Sequence, residues 1–283
     1  ANRALSGAIN IHCDHSDSMA ARDSGVIQLY GEDAQEAYEF TLMAQRLAES
    51  EDVLLPVMVT LDGFTLTHTA QVAELLPDGA VTDFVGEYNA RYPLLDVDNP
   101  TTQGPFDMPD YYFEHKLQQV DAMKNVPDRF LEVQDKFNDL SGSSYDGLFE
   151  SYKLDDADQA VVILGSTAGT AKVVVDELRE KGKKVGLLKP WLFRPFPGEK
   201  VKEALVDKEA VAVLDRSLSF GSSGPLYLEV SSALSEEDEK PRLYNYTYGL
   251  GGRDIKENQI AEVFEDLENP DLEKKMRYIG ARQ

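Results

Sequence analysis

The chain has 283 residues, room for two ordinary domains with separate cores, and its 42% apolar content argues against wholesale disorder. Its 28 Lys and Arg stand against 51 Asp and Glu, a formal charge of -23 that repels phosphate backbones and excludes nucleic acid as an expected partner. No apolar run approaches the length that spans a bilayer, so no membrane association is expected; a single cysteine, Cys13, rules out an internal disulfide and suits a reducing, cytoplasmic setting.

In chain order, Arg3 leads into an apolar run, 7–11, that reads as a short buried strand closed by the polar turn His12-Cys13-Asp14-His15-Ser16-Asp17. Residues 18–25 form a polar connector and 26–30 a second strand. From 34 to 50 the positions Ala37, Phe40, Leu42, Met43, Ala44, Leu47 and Ala48 recur at helical spacing, after acidic residues that suit a helix start. The near-continuous apolar stretch 53–61 is expected in the middle of a parallel sheet, covered on both faces, with Pro56 at its start or at a bulge. It empties into Asp62-Gly63-Phe64-Thr65-Leu66-Thr67-His68, so two strand ends each deliver an Asp and a His. Residues 70–88 read as weak helix, and 89–110 as a long surface excursion of the kind that is functional or wraps a partner. Helical spacing returns over 111–140, where Pro127 starts a second helix or kinks the first.

Ser141-Gly142-Ser143-Ser144 marks the expected boundary between domains 1–142 and 143–283. Beyond it, strands at 160–164, 184–188, 210–214 and 242–246 alternate with helices at 170–181, 198–206, 225–234 and 257–267. That alternation predicts an α/β fold with a doubly wound, mainly parallel sheet. The first unit offers only about three strands, too few for a closed α/β domain, so its amino-terminal half is expected to be missing from this chain or supplied elsewhere.

Polar groups gathered at strand ends are where an open α/β sheet presents its ligand site. Arg3 carries a fork that matches a carboxylate or phosphate, although on position alone a surface ion pair explains it as well. His12, Asp14, His15 and Asp17 have the residue types of a zinc or manganese site, which makes a metal-dependent hydrolase one alternative; a satisfied polar turn is the simpler explanation. Gly165-Ser166-Thr167-Ala168-Gly169-Thr170 could cradle a phosphate between strand and helix, but it matches neither G-x-G-x-x-G nor a P-loop and reads better as a tight turn. Tyr248-Gly249-Leu250-Gly251-Gly252-Arg253-Asp254 leaves the same two possibilities open. Cys13 lies among acidic residues that oppose thiolate formation.

Together, Ala1-Asn2-Arg3-Ala4-Leu5-Ser6, the run from Asp14 to Gly25, Leu54-Leu55-Pro56-Val57-Met58-Val59, Asp62-Gly63-Phe64 with His68, and Pro109-Asp110-Tyr111-Tyr112-Phe113-Glu114 resemble the α chain of pyruvate:ferredoxin oxidoreductases. Leu192-Phe193-Arg194-Pro195-Phe196-Pro197, Val213-Leu214-Asp215-Arg216 and the glycine turn after Tyr248 extend the resemblance over nearly the whole chain. It implies that 1–142 is the carboxy-terminal part of a domain binding the pyrimidine of thiamine diphosphate, and that 143–283 is a transketolase-C-terminal-like domain. It also implies a subunit that, with coenzyme A, oxidatively decarboxylates a 2-oxoacid, pyruvate first, and reduces ferredoxin. Thiamine diphosphate with Mg2+ would be held mostly by a partner chain, [4Fe–4S] clusters would lie in β, γ and δ partner subunits only, and this chain would hold no metal. Arg3 aligns with the arginine that grips the substrate carboxylate, with Asp14, His15, Asp62 and His68 as supporting residues nearby. The family's pyrimidine-polarising glutamate has no counterpart here, so the isolated chain is expected to be inactive. A scaffold module without catalytic residues is the remaining alternative.

Overall fold

The computed structural model describes every residue except Pro105, Lys274 and Gln283. The first half holds a short helix α1 (Ser16–Ala20), β1 (Ile27–Tyr30), α2 (Ala34–Ala48), β2 (Val57–Thr60), α3 (Asp78–Val85) and the long α4 (Pro109–Ser141). The second holds β3 (Phe149–Tyr152), β4 (Gln159–Ile163), α5 (Thr167–Glu180), β5 (Val185–Pro190), β6 (Leu192–Arg194), α6 (Gly198–Leu205), β7 (Ala210–Asp215), α7 (Pro225–Ala233), β8 (Arg242–Thr247), α8 (Glu257–Glu268) and β9 (Arg277–Tyr278).

The larger sheet runs β3-β5-β4-β7-β8-β9, parallel except for β3 at its edge. Its central strands are apolar throughout because both faces are covered. On one face Val161, Ile163, Ala212 and Leu214 meet Ala171, Val174 and Val175 of α5 and Ile260, Val263 and Phe264 of α8. On the other, Ala160, Val162, Val211 and Val213 meet Val201 and Leu205 of α6 and Leu226 and Val230 of α7. The two-residue period of a strand divides these sets.

The smaller sheet runs β2-β1-β6, with β2 parallel and β6 antiparallel to β1. The Asp33 carboxylate accepts the Glu36 N–H at 2.8 Å and caps α2. The buried stripe Phe40, Met43, Ala44 and Leu47 then packs on Ile27 and Leu29, on Val126, Phe130, Val133 and Phe137 of α4, and on Trp191 and Leu192. The second half of the chain therefore completes the first half's core. A buried ion cluster sits at the same junction. Lys189 Nζ, on a side chain 1% exposed, lies 2.6 Å from Glu32, 2.7 Å from Glu36 and 2.7 Å from Glu150. Burial alone would lower the ammonium's pKa; the three carboxylates outweigh it and hold the value above the ordinary lysine range.

Several sequence expectations change. Residues 7–11 form no strand: Ile9 is 86% exposed, and the opening segment joins the chain just past β2 through the parallel bridge of Asn2 to Asp62. The 53–61 strand shrinks to β2, whose Val57, Met58 and Val59 are half-buried at a sheet edge. Pro127 neither starts a helix nor ends one. It lies inside α4, where buried Val126, Phe130 and Val133 pin the turns around it to the core despite the lost backbone hydrogen bond. The described residues of 86–108 contain no helix or strand, as expected of an excursion, and Leu95, Val97 and Phe106 stand out from it almost fully exposed. Among the described residues, no helix is long and apolar enough to cross a membrane.

Candidate active site

β2 ends at Thr60, and two residues on the Asp62 side chain turns inward, 1% exposed. Three elements converge on it. His15 Nε2, from the start of α1, lies 2.7 Å from Oδ1. Ser166 donates to Oδ2 through its N–H at 3.0 Å and its hydroxyl at 2.5 Å, and Arg216, just past β7, donates through Nη1 at 2.8 Å. Burial by itself would raise the carboxyl pKa. The charge and hydrogen bond of His15, then Arg216 and Ser166, overcome that and hold Asp62 far below the usual carboxylate range. Cys13 Sγ lies 3.4 Å from Oδ1, and burial beside that charge pushes its thiol pKa up, out of reach of a thiolate at neutral pH.

Gly165 must be a glycine here. Its φ is +72°, and a Cβ would lie 3.0 Å from Asp62 Oδ2 and 3.2 Å from His15 Nε2. The glycine turn that could have cradled a phosphate at the α5 N-terminus is thus filled by the protein's own carboxylate. The turn after Tyr248 is filled in the same way. Gly251 donates to Asp14 Oδ2 at 3.1 Å, Gly252 N–H donates to the Cys13 carbonyl at 2.6 Å, and a Cβ on Gly252 would lie 2.4 Å from the His12 Cβ. The chain's own groups, Asp62 at the first run and the opening loop at the second, account for the glycines there.

The opening loop ends on the surface next to Asp62. Asn2 pairs with the chain at Leu61 through a 2.8 Å N–H···O bond, and its side-chain amide reaches Asp17 and Ser18 at 2.9 and 2.7 Å. Its buried Oδ1 has no hydrogen-bond partner among the described residues. Asn2 lines a shallow recess of about 170 Å3 with Asp17, Ser18, Met58, Val59 and Thr60. The half-buried Arg3 follows; its N–H donates to Asp17 Oδ2 at 2.8 Å, and its guanidinium donates to the Asn2 carbonyl at 3.1 Å. Among the described residues no acidic side chain pairs with that guanidinium, so the surface-ion-pair explanation for Arg3 does not hold. Instead its Cζ lies 5.1 Å from the centre of the Phe64 ring.

The five singled-out residues thus form two connected groups and one outlier. His15 and Asp62 form the buried node. Arg3 and His68 meet at Phe64, on which His68 stacks at 4.1 Å between ring centroids. Asp14 serves the Gly251 contact instead. The four groups of the hydrolase alternative do not converge on one point: His12 contacts Asn10 and Phe64, Asp14 Gly251, His15 Asp62, and Asp17 the Asn2–Arg3 backbone. Cys13, His15 and Asp62 do approach one another closely, but Arg216 already supplies the cation there. Sequence reasoning named Ser166 only as part of a possible phosphate cradle, and Arg216, Gly63 and Phe64 only within motifs, without assigning any of them to this site. Each sits just past the end of a strand that the sequence pattern does identify.

The same stretches carry the likeness to known proteins. Residues 1–135 match the family model described as "Pyruvate flavodoxin/ferredoxin oxidoreductase, thiamine diP-bdg", and residues 157–260 match "Pyruvate:ferredoxin oxidoreductase core domain II". The pyruvate synthase subunit PorA of Thermotoga maritima is 56% identical over 283 residues, covering 100% of this chain and 72% of its own length. The PorA of Methanocaldococcus jannaschii is 44% identical at the same coverage, and the ketoisovalerate oxidoreductase subunit VorA of Pyrococcus abyssi is 35% identical over 94% of this chain and 67% of its own. A solved 2-oxoglutarate:ferredoxin oxidoreductase from Magnetococcus marinus superposes with a TM-score of 0.57 at 18% identity, over 90% of this chain and 45% of that one, and supports the fold.

Proposed function

The chain belongs to the pyruvate:ferredoxin oxidoreductase family, and from that premise we propose that it is the α-type subunit of a 2-oxoacid:ferredoxin oxidoreductase acting on pyruvate. In that reaction a 2-oxoacid and coenzyme A give carbon dioxide, an acyl-CoA and a proton, and the electron pair passes to ferredoxin. Pyruvate is favoured over a branched-chain acid because the relatives named for pyruvate reach 56% identity and the ketoisovalerate relative 35%.

Arg3 carries the reading. Its guanidinium is held at the end of β2 with no acidic partner among the described residues, in a protein with 51 Asp and Glu. A planar fork left unneutralised in such surroundings is suited to a ligand carboxylate, which it binds through two parallel N–H···O bonds. Gripping the carboxylate fixes the 2-oxo carbon relative to the fork, which lowers the entropy cost of bringing it to the reacting centre. His15, Asp62, Ser166 and Arg216 do not touch the substrate on this reading; they lock the end of β2 from below. Asp14 and Asp17 hold the opening loop that carries Arg3.

The Gly165 turn has no room for the coenzyme's diphosphate because Asp62 fills it, and the Gly251 and Gly252 N–H groups are already spent on Asp14 and Cys13. The diphosphate, its Mg2+ and the iron–sulfur clusters are therefore assigned to β, γ and δ partner subunits. With one cysteine, this sequence cannot supply the roughly four thiolates a cluster needs. Leu95, Val97, Phe106, Tyr111 and Phe113 are each exposed, apolar positions that such a partner would cover. Residues 1–142 and 143–283 are read as the pyrimidine-side and transketolase-C-terminal-like domains, with β6 returning from the second to the first. A free, buried Cys13 suits a cytoplasmic location.

The test is a substrate panel on the assembled complex with coenzyme A and an artificial electron acceptor. Pyruvate is expected to give the highest kcat/KM. Reduction with no 2-oxoacid would contradict the reading, and a clear preference for a branched-chain acid would correct its substrate.

A further inference from the structure

We propose that the Gly63–Phe64 turn is the positioning platform that aims the Arg3 fork at the substrate carboxylate, with Phe64 as the surface the guanidinium rests on and Gly63 as the gap that admits it. This rests on Arg3 being the carboxylate-binding group. Three side chains meet at the Phe64 ring: the Arg3 guanidinium at 5.1 Å, the His68 imidazole stacked at 4.1 Å with an interplanar angle of 11°, and the His12 imidazole at 4.5 Å, tilted by 32°. Phe64 takes a backbone conformation that bulky residues rarely adopt, with φ at +61°. The turn holds it there: Phe64 N–H donates to Thr67 Oγ1 at 2.9 Å, and its carbonyl accepts the His68 N–H at 3.2 Å. Strain of this kind persists only where the surroundings over-determine it, and here its consequence is to present a ring face to an arginine.

Gly63 supplies the second, independent constraint. Its φ lies outside the left-handed region, so its backbone would accept an alanine, but a Cβ would lie 1.4 Å from Arg3 Nη1 and 2.3 Å from the Asn2 carbonyl oxygen. The guanidinium occupies the volume that any other residue's side chain would take. An arginine has several freely rotating bonds and no carboxylate partner here; without the ring and the gap it would sample many directions, and a bidentate grip needs one. One Nη1 N–H is spent on the Asn2 carbonyl, and cation–π contact leaves the remaining N–H groups of the guanidinium open to a ligand, which an ion pair would not.

The experiment uses the assembled complex and compares Phe64→Leu, Phe64→Tyr and Gly63→Ala in the Arg3 background, and the two Phe64 changes also with Arg3→Ala. Two readouts are taken: KM and kcat for pyruvate and for coenzyme A, and the Kd of oxamate, a non-reacting analogue that carries the same carboxylate, by calorimetry. Phe64→Leu and Gly63→Ala are expected to raise the pyruvate KM and the oxamate Kd by about 10-fold, with the coenzyme A KM within about twofold of the parent. Phe64→Tyr, which keeps the ring, is expected to restore both. In the Arg3→Ala background Phe64→Leu is not expected to weaken binding further, because the group it aims is gone; Gly63→Ala still presses on the Asn2 carbonyl there and is read only in the Arg3 background. The inference is overturned if Arg3→Ala weakens oxamate binding and Phe64→Leu does not, or if Phe64→Leu weakens it equally with and without Arg3. If Arg3→Ala itself leaves pyruvate and oxamate unaffected, the assignment of Arg3 fails and the platform with it.

Discussion

Arg3→Ala in the assembled complex is expected to lower kcat/KM for pyruvate by about 100- to 1000-fold, about 3–4 kcal/mol, with subunit assembly unchanged. The magnitude follows from what is removed: a charge-assisted, two-bond contact to a carboxylate at a half-buried position that no neighbouring cation replaces. Arg3→Lys keeps the charge but loses the fork and the flat contact with Phe64, and is expected to fall between, about 10-fold below the parent. The scaffold alternative gives the opposite result. If turnover survives Arg3→Ala unaltered, this chain contributes shape and not chemistry. Assembly is the proper control because the contacts of the Arg3 side chain among the described residues are with the Asn2 carbonyl and the Gly63–Phe64 turn, none of them in the core.

Asp62→Asn is expected to produce the largest loss of stability of any single change near the site, about 3–5 kcal/mol by chemical denaturation. The carboxylate satisfies His15, Ser166 and Arg216 together, and all are removed from water with it. A neutral amide of the same shape leaves the buried Arg216 charge without its counter-ion. The pH dependence gives an independent check. The folded-state pKa of Asp62 is depressed, so its contribution is fully present above the unfolded carboxylate value, near pH 4, and is lost as pH falls through that value toward the folded one. The parent should therefore lose stability below about pH 4 more steeply than Asp62→Asn does. Parallel acid profiles for the two proteins would show that Asp62 is not the ionised centre of this node.

The second domain was largely legible because each of its central strands is a short apolar run between amphipathic helices, and Val161, Val162, Val211 and Val213 need both faces buried wherever they lie. Its edge was not. β3, β6 and β9 are two to four residues long, and what makes them strands is a partner elsewhere in the chain. The run at 7–11 failed for the complementary reason: apolar residues alone suggest burial, yet Ile9 and Ile11 find nothing to pack on. The turn at His12–Asp17 looked like one cluster because its members are adjacent in sequence. Their partners are Asp62, Gly251 and the Asn2–Arg3 backbone, and only the folded chain separates those destinations. That Arg216 and Ser166 bind Asp62 could not be read for the same reason, since each lies more than 100 positions from that carboxylate. Arg3 could be singled out from residue chemistry, but its assignment to a 2-oxoacid came from family resemblance. The absence of an acidic partner among the described residues gives that assignment a physical basis.

The most direct measurement is an experimental structure of the assembled complex with oxamate bound. The oxamate carboxylate is expected within about 3 Å of both terminal nitrogens of Arg3, with the guanidinium still resting on Phe64. A carboxylate held by other groups, with Arg3 turned away from it, would contradict the role given to Arg3.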